Sequence, residues 1–175
     1  MCLARRSATR WPGGSTFSIG QLAAIAPRLR ALGWHVQTFV PKGTLGQFAE
    51  ALLATGVDVV LDHFGSPEPG LGLAQETQQV LARMLDTGRC WVKVSAPFRI
   101  SAGPAPYADM LPYAHWLLEH RPDRLVWGSD WPYIHFIDKL APDYDPVAWL
   151  ADAIDDPRIR QAVFADNSRR LYGFE

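Results

Sequence analysis

Two side chains in this sequence stand where an apolar, strand-like run gives way to a loop, and together they could move a proton: His63 in VVLDHFG and Asp130 in RLVWGSDWP. Asp130 follows Leu125-Val126-Trp127 and precedes Trp131-Pro132, whose proline cannot donate to a ladder and so closes the strand. Gly128, just before it, permits a close approach by another group. If both runs are parallel strands of one sheet, His63 and Asp130 face the same end. There they can share a water, one orienting or protonating while the other accepts a proton. Each has a plainer reading: Asp130 as the cap of a following segment, and His63 as a hydrogen-bonded core residue. Alternation along the run puts Val59, Leu61 and His63 on one face and Asp58, Val60 and Asp62 on the other.

A second group lies in WVKVSAPFRIS, residues 91–101. Trp91, Lys93 and Ser95 share a face, and a lysine among apolar positions must meet an anion or water. Arg99, just past the strand, is placed to grip a carboxylate through two hydrogen bonds; a solvated arginine or an ion pair with a helix acid is the alternative. Tyr107 could add a hydroxyl from the start of the next helix. His35 and Gln37 share a face of WHVQ and either line the mouth of a site or bond within the sheet. His135 follows the Asp-Trp-Pro turn, within reach of the site or an ordinary loop residue. His115 and His120, five apart, do not stack on one helix face and are expected at the surface or in packing.

The elements that would position these groups alternate. Residues 18–32 carry Leu22, Ile25, Leu29 and Leu32 at helical spacing behind a Ser18 cap, with Pro27 as a point of kinking and Gly33 as the stop. Strand-like segments at 34–40, 58–64, 90–95 and 124–130 are separated by helical ones at 45–56, 73–88 and 107–120. Amphipathic segments at 146–154 and 157–171 follow. Four strands separated by helices imply parallel pairing through right-handed crossovers, so the class is α/β. Either a small open sheet covered on both faces or part of a (β/α)8 barrel satisfies this. Reactive groups spread over several strand ends favour the barrel, which needs eight strands and about 250 residues. Four strands would leave two open edges and an apolar interior, and self-association through those edges is one way to cover them.

Composition narrows the partners. The 175 residues are 48% hydrophobic and 20% charged, and 17 basic against 18 acidic residues give a net charge of −1. That is a soluble globular chain without the basic footprint of a nucleic-acid binder. No run approaches the length of a membrane span, and the basic start MCLARRSATRW lacks the apolar core of a signal peptide. Cys2 and Cys90 form no metal-spaced or CxxC pattern, which points to a reducing compartment, the cytoplasm. HxH, HExxH, GxSxG, GxxxxGK[ST] and GxGxxG at a strand-helix junction are all missing, so zincin, serine hydrolase, P-loop and Rossmann readings lack their signatures.

Taken in order, GWHVQ, VVLDHFG, WVKVSAPFRIS with YADM, DRLVWGSDWP and ADNSRRLYGF resemble the second half of the amidohydrolase-related (amidohydrolase 2) family, close to its pyrone-dicarboxylate lactonase branch. The resemblance runs from about residue 9 to the end. It implies that the chain is the C-terminal half of a TIM-like (β/α)8 barrel, strands five to eight with their helices, as one partial domain over 1–175 without the family's HxH strand. It implies catalytic roles for His63 on the sixth strand and Asp130 on the eighth, and makes Arg99 the arginine that binds a substrate carboxylate. Where lactonase-like members carry an arginine after the histidine and a histidine after Asp-Trp-Pro, this chain has Ser66 and Tyr133, with His135 as a substitute. The implied reaction is opening of a lactone or related cyclic ester of a small carboxylated metabolite. Lys93, Gln37, Tyr107 and His135 would join Arg99 in binding it. The wider superfamily uses a divalent cation such as zinc to activate water, whereas the lactonase branch works without one. With no HxH, only His63 and Asp130 remain as ligands, fewer than the three of a catalytic zinc, so no cofactor is expected. Two alternatives stand beside this reading: a non-catalytic half-barrel dependent on self-association or a complementary chain, and a metal-dependent decarboxylase on the same scaffold.

Overall fold

The computed structural model describes residues 3–4, 18–68 and 76–174. Cys2 and residues 73–75, where the third helix was expected to start, lie outside them. Five strands form one parallel sheet in the order of the chain: β1 (Leu3–Ala4), β2 (Val36–Thr38), β3 (Val59–Leu61), β4 (Cys90–Val94) and β5 (Leu125–Trp127). The strand count from the sequence was four. A two-residue strand carries too little periodicity to be seen, and β1 is recognised only by its pairing with Val36 and Gln37.

The strand order decides between the two architectures. Each crossover steps to the next strand in the same direction, and right-handed crossovers that never reverse put every connecting helix on one face of the sheet. That is an arc of a barrel wall, not an open sheet wound on both sides. The helices are α1 (Ile19–Ala31), α2 (Leu45–Ala54), α3 (Glu76–Asp86) and α5 (Leu111–His120), with a single turn, α4 (Pro97–Ile100), after β4. Ser18 caps α1 reciprocally with Gln21, as its spacing predicts, and α1 runs on through Pro27 as one element. Residues 107–110 are not yet α-helix: Tyr107 is left-handed at φ 61° and a 3-10 turn at Ala108–Met110 precedes α5.

Register sorts the strand residues by face. Val36, Val59 and Cys90, then Leu61, Val92 and Leu125, turn to the helices and are buried with Leu29, Leu45, Leu52, Leu81, Leu85 and Leu117. Full burial of each such side chain stabilises the fold by about 1.5–3 kcal/mol. The concave face carries Val60 beside Trp91, clustered with Val126, and one step further along the strands Asp62 and Lys93, the lysine in register with Val126. Its lower end is closed from the C-terminal segment. α6 (Pro146–Ala151) and α7 (Pro157–Gln161) start at prolines behind Asp145 and Asp156 caps. A π-helical turn (Ala162–Asp166) leads into α8 (Asn167–Tyr172), so the amphipathic segment expected at 157–171 is one continuous helical run with a π-turn in its middle. Leu171 packs on the Val60-Trp91-Val126 cluster, Arg124 and Arg170 stand over the Trp91 ring at 4.9 and 5.0 Å, and Tyr172 meets His35 edge-on. Buried Asn167 donates to the carbonyls of Pro122 (2.8 Å) and Leu125 (2.7 Å), pinning α8 to the start of β5.

Candidate active site

The upper ends of β3, β4 and β5 share one local feature. Each chain segment leaves the sheet through a non-glycine residue in the left-handed region: His63 at φ 49° after β3, Ala96 at φ 51° after β4, Asp130 at φ 61° after β5. Such conformations cost about 1–3 kcal/mol where the residue is not glycine, and they cluster at functional sites because the surrounding structure must hold them. The turn at His63 also corrects the alternation read from sequence. Asp62 is extended and keeps its place beside Val60, but at His63 the period breaks, so the imidazole does not follow Val59 and Leu61 to the helix side. It turns instead to the same mouth as Asp62.

There the expected pair is assembled. His63 Nε2 stands 3.7 Å from Asp130 Oδ1, and both side chains are largely buried. On its other side, His63 Nδ1 is 3.0 Å from the Ser95 hydroxyl, and Phe39 packs against the ring edge-on. Burial pushes the His63 pKa below its ordinary 6.5, with Arg99 and Lys93 adding to the effect while Asp62 and Asp130 oppose it. The imidazole is therefore neutral at neutral pH.

Arg99 comes from α4. Its Nε donates to Asp130 Oδ2 at 2.5 Å, its Nη2 donates to the Ile134 carbonyl at 3.1 Å, and its guanidinium lies 4.7 Å over the Phe136 ring. The acid that the arginine meets is the expected base itself, across the mouth of the sheet. Lys93 also finds its anion on the concave face: Nζ is 3.1 Å from Asp62 Oδ1, the oxygen that also accepts from Gln37 Nε2 at 2.9 Å. Gln37, Asp62 and Lys93 thus form a polar belt across β2, β3 and β4, immediately below His63, Ser95 and Asp130.

Tyr107 packs on Phe98, the neighbour of Arg99, and His135 follows Ile134, whose carbonyl accepts from Arg99. Tyr107 is buried in an aromatic group with Phe98 and Tyr144, and no hydrogen bond from it to His63, Arg99 or Asp130 is found among the described residues. His135 is exposed, left-handed at φ 67°, in the loop after the Trp131–Pro132 bond. His120 stacks on Trp116 beside Asp86, in a packing role, and His115 is exposed. Asp62 and Ser95 are the two site residues that the sequence marks as polar strand-end positions without assigning them a role. The signal for Ser95 was present, since it shares a face with Lys93. For Asp62 the signal pointed the wrong way, because strict alternation separated it from His63.

Chemically, the mouth holds a carboxylate, a neutral imidazole and a guanidinium within contact of one another. That is a proton acceptor, a hydrogen-bond donor or acceptor, and an anion anchor.

A family model described as Amidohydrolase matches residues 6–174. A 4-sulfomuconolactone hydrolase of Rhizobium radiobacter is 32% identical over 146 residues, 82% of this chain and 49% of the relative. A 2-pyrone-4,6-dicarboxylate hydrolase of Comamonas testosteroni is 32% identical over 161 residues, 87% of this chain and 53% of the relative. A crystal structure from Pseudomonas putida, assigned as a 2-pyrone-4,6-dicarboxylic acid hydrolase, superposes with a TM-score of 0.81 at 28% identity, over 99% of this chain and 63% of that one. The chain therefore spans about half the length of the curated relatives it matches. Its fold is part of a (β/α)8 barrel, with its five parallel strands side by side in chain order.

An amidohydrolase from Burkholderia multivorans that shares the fold, at 17% identity and a TM-score of 0.64, is described with bound zinc. His63 Nε2 and Asp130 Oδ1 could offer two ligands, and no group of three or more His, Cys, Asp or Glu side chains suited to a metal is found among the described residues. A catalytic zinc takes three protein ligands, so these residues do not fit one by themselves.

Proposed function

The chain belongs to the amidohydrolase family, and from that premise we propose that it serves the opening of a lactone, or a related cyclic ester, of a small carboxylated metabolite. The observation that carries this is the convergence of Asp130, His63 and Arg99 at the mouth of the sheet, with separations of 3.7 and 2.5 Å. The relatives named for sulfomuconolactone and pyrone dicarboxylate support the substrate class.

In this mechanism Asp130 takes a proton from water as the water oxygen attacks the ring carbonyl carbon. His63, neutral through burial, donates a hydrogen bond to the carbonyl oxygen as negative charge develops there. The tetrahedral intermediate collapses, the ring carbon–oxygen bond breaks, and the expelled oxygen takes the proton that Asp130 holds. Arg99 receives a substrate carboxylate. Because that guanidinium grips Asp130 before substrate arrives, an incoming carboxylate competes for it and loosens its hold on the base. Lys93 and Gln37 are engaged with Asp62 and shape the floor of the site rather than its rim.

A second reading is favoured by the sheet itself. β5 pairs only with β4 and β1 only with β2 among the described residues, so both edges of the arc are open. We propose that another copy or a complementary chain covers them. Cys90, a buried free thiol, fits a reducing compartment, and the cytoplasm is the place we propose; no helix of the described residues is long and apolar enough to cross a membrane.

The test is hydrolysis of carboxylated lactones by the chain and by Asp130→Asn, followed by pH-stat titration of the acid released. Loss of at least 100-fold in kcat with little change in KM is expected. Turnover that survives the substitution overturns the assignment of the base. Absence of turnover by the chain, with native mass spectrometry showing a pure monomer, overturns both readings.

A further inference from the structure

We propose that Ser95 is a positioning residue: its hydroxyl donates to His63 Nδ1 and so fixes the imidazole as the Nε2–H tautomer, which presents a proton, not a lone pair, to the reacting carbonyl. This rests on the lactone-opening reading and specifies how its electrophilic partner is made.

The argument is one of electrostatics at both ring nitrogens. A neutral imidazole carries one proton, and which nitrogen bears it follows from the partner of the other. Nε2 faces Asp130 Oδ1 at 3.7 Å. With the proton on Nδ1, the Nε2 lone pair would point at a carboxylate, two electron-rich atoms face to face in a largely buried space. With the proton on Nε2, the N–H dipole points at the carboxylate and is stabilised by it. Nδ1 must then accept, and the group 3.0 Å away is a hydroxyl, which can donate.

Ser95 is suited to that task by its place. It is 4% exposed, so water does not compete for its proton, and a buried hydroxyl needs a partner. It is held at the end of β4 by the left-handed turn at Ala96 and lies against Gly128 of the next segment. At 3.7 Å the Nε2–H is too far from Asp130 to be consumed by a hydrogen bond, which leaves it for an incoming carbonyl oxygen. The division of labour follows: His63 polarises the carbonyl and Asp130 alone takes the proton from water.

The experiment is long-range 15N–1H correlation NMR of the 15N-labelled chain above the His63 transition, with the His63 signals assigned by their loss in His63→Gln. The expected result is protonated Nε2 in the unmodified chain and in Ser95→Thr, which keeps the hydroxyl. Ser95→Ala, which leaves only the weaker preference set by Asp130, should show a measurable share of the Nδ1–H tautomer. A protonated Nδ1 in the unmodified chain, or an unchanged tautomer in Ser95→Ala, overturns the inference. Should Ser95→Thr fail to fold, the unmodified chain and Ser95→Ala decide the question alone. In turnover, Ser95→Ala should lower kcat about 10- to 100-fold, as loss of a histidine's outer partner does, with KM little changed. The expected NMR pattern without any turnover sinks the lactone reading and leaves the tautomer standing. Turnover with the opposite tautomer does the reverse.

Discussion

Gly128 offers a quantitative check on the site's floor. A Cβ at this position would stand 2.9 Å from Lys93 Cδ, 3.2 Å from Lys93 Cγ and 3.6 Å from Ser95 Cβ. Gly128 is not among the glycines with positive φ, so alanine meets no backbone strain there and the whole cost is steric. The clash falls on the middle of the lysine stem. The far end of that stem is tied to Asp62 at 3.1 Å, with both side chains less than one-fifth exposed, so it cannot swing aside without stretching the ion pair. Overpacking of this kind destabilises by about 1–3 kcal/mol, and Gly128→Ala is expected in that range. Lys93→Ala removes Cγ and Cδ together with the charge. In that background the nearest remaining atom is Ser95 Cβ, at an ordinary contact distance of 3.6 Å, so Gly128→Ala should cost less than about 0.5 kcal/mol. The coupling between the two positions should then reach about 1 kcal/mol or more, well outside the about 0.3–0.5 kcal/mol scatter of independent sites. Urea unfolding of the four proteins of the cycle, followed by tryptophan fluorescence, measures it. Equal costs of Gly128→Ala with and without the lysine stem would refute the reasoning.

Two further outcomes follow from the geometry. Burial lowers the pKa of both His63 and His35 below 6.5, so as pH falls through 6.5 the unfolded chain takes up protons that the folded chain refuses. Stability present above that pH is then progressively lost on the acid side: the urea midpoint should fall between pH 7.5 and 5.5, and His63→Gln should flatten the dependence. Asn167→Ala removes the side chain that donates to the carbonyls of both Pro122 and Leu125, and unsatisfied buried groups cost about 1–3 kcal/mol each. A loss of about 2 kcal/mol or more is expected in urea unfolding, and a loss within about 0.5 kcal/mol would show that α8 is held by other contacts.

Much of this was legible in one dimension because it rests on local physics. The α/β alternation, the Ser18 cap, the shared face of Trp91, Lys93 and Ser95, and the stop at Asp130 depend on periodicity, capping and proline, all properties of a few neighbouring residues. So the candidate site residues His63, Asp130 and Arg99 could be named from strand ends and motif order. What periodicity could not supply was anything that depends on a break in it or on a partner far along the chain. The left-handed turn at His63 brings the imidazole to the side of Asp62 and Ser95, where alternation would have sent it to the helices. Strand order, which separates a barrel arc from an open sheet, is a pairing between segments more than 20 residues apart and leaves no mark on either. Arg99 could be recognised as an anion grip, but only the tertiary structure sets its Nε on Asp130, 31 residues away. Residue types therefore determined which chemistry is available here, and the fold alone decided which groups meet, because contact distance is fixed by packing across the sheet and not by spacing along the chain.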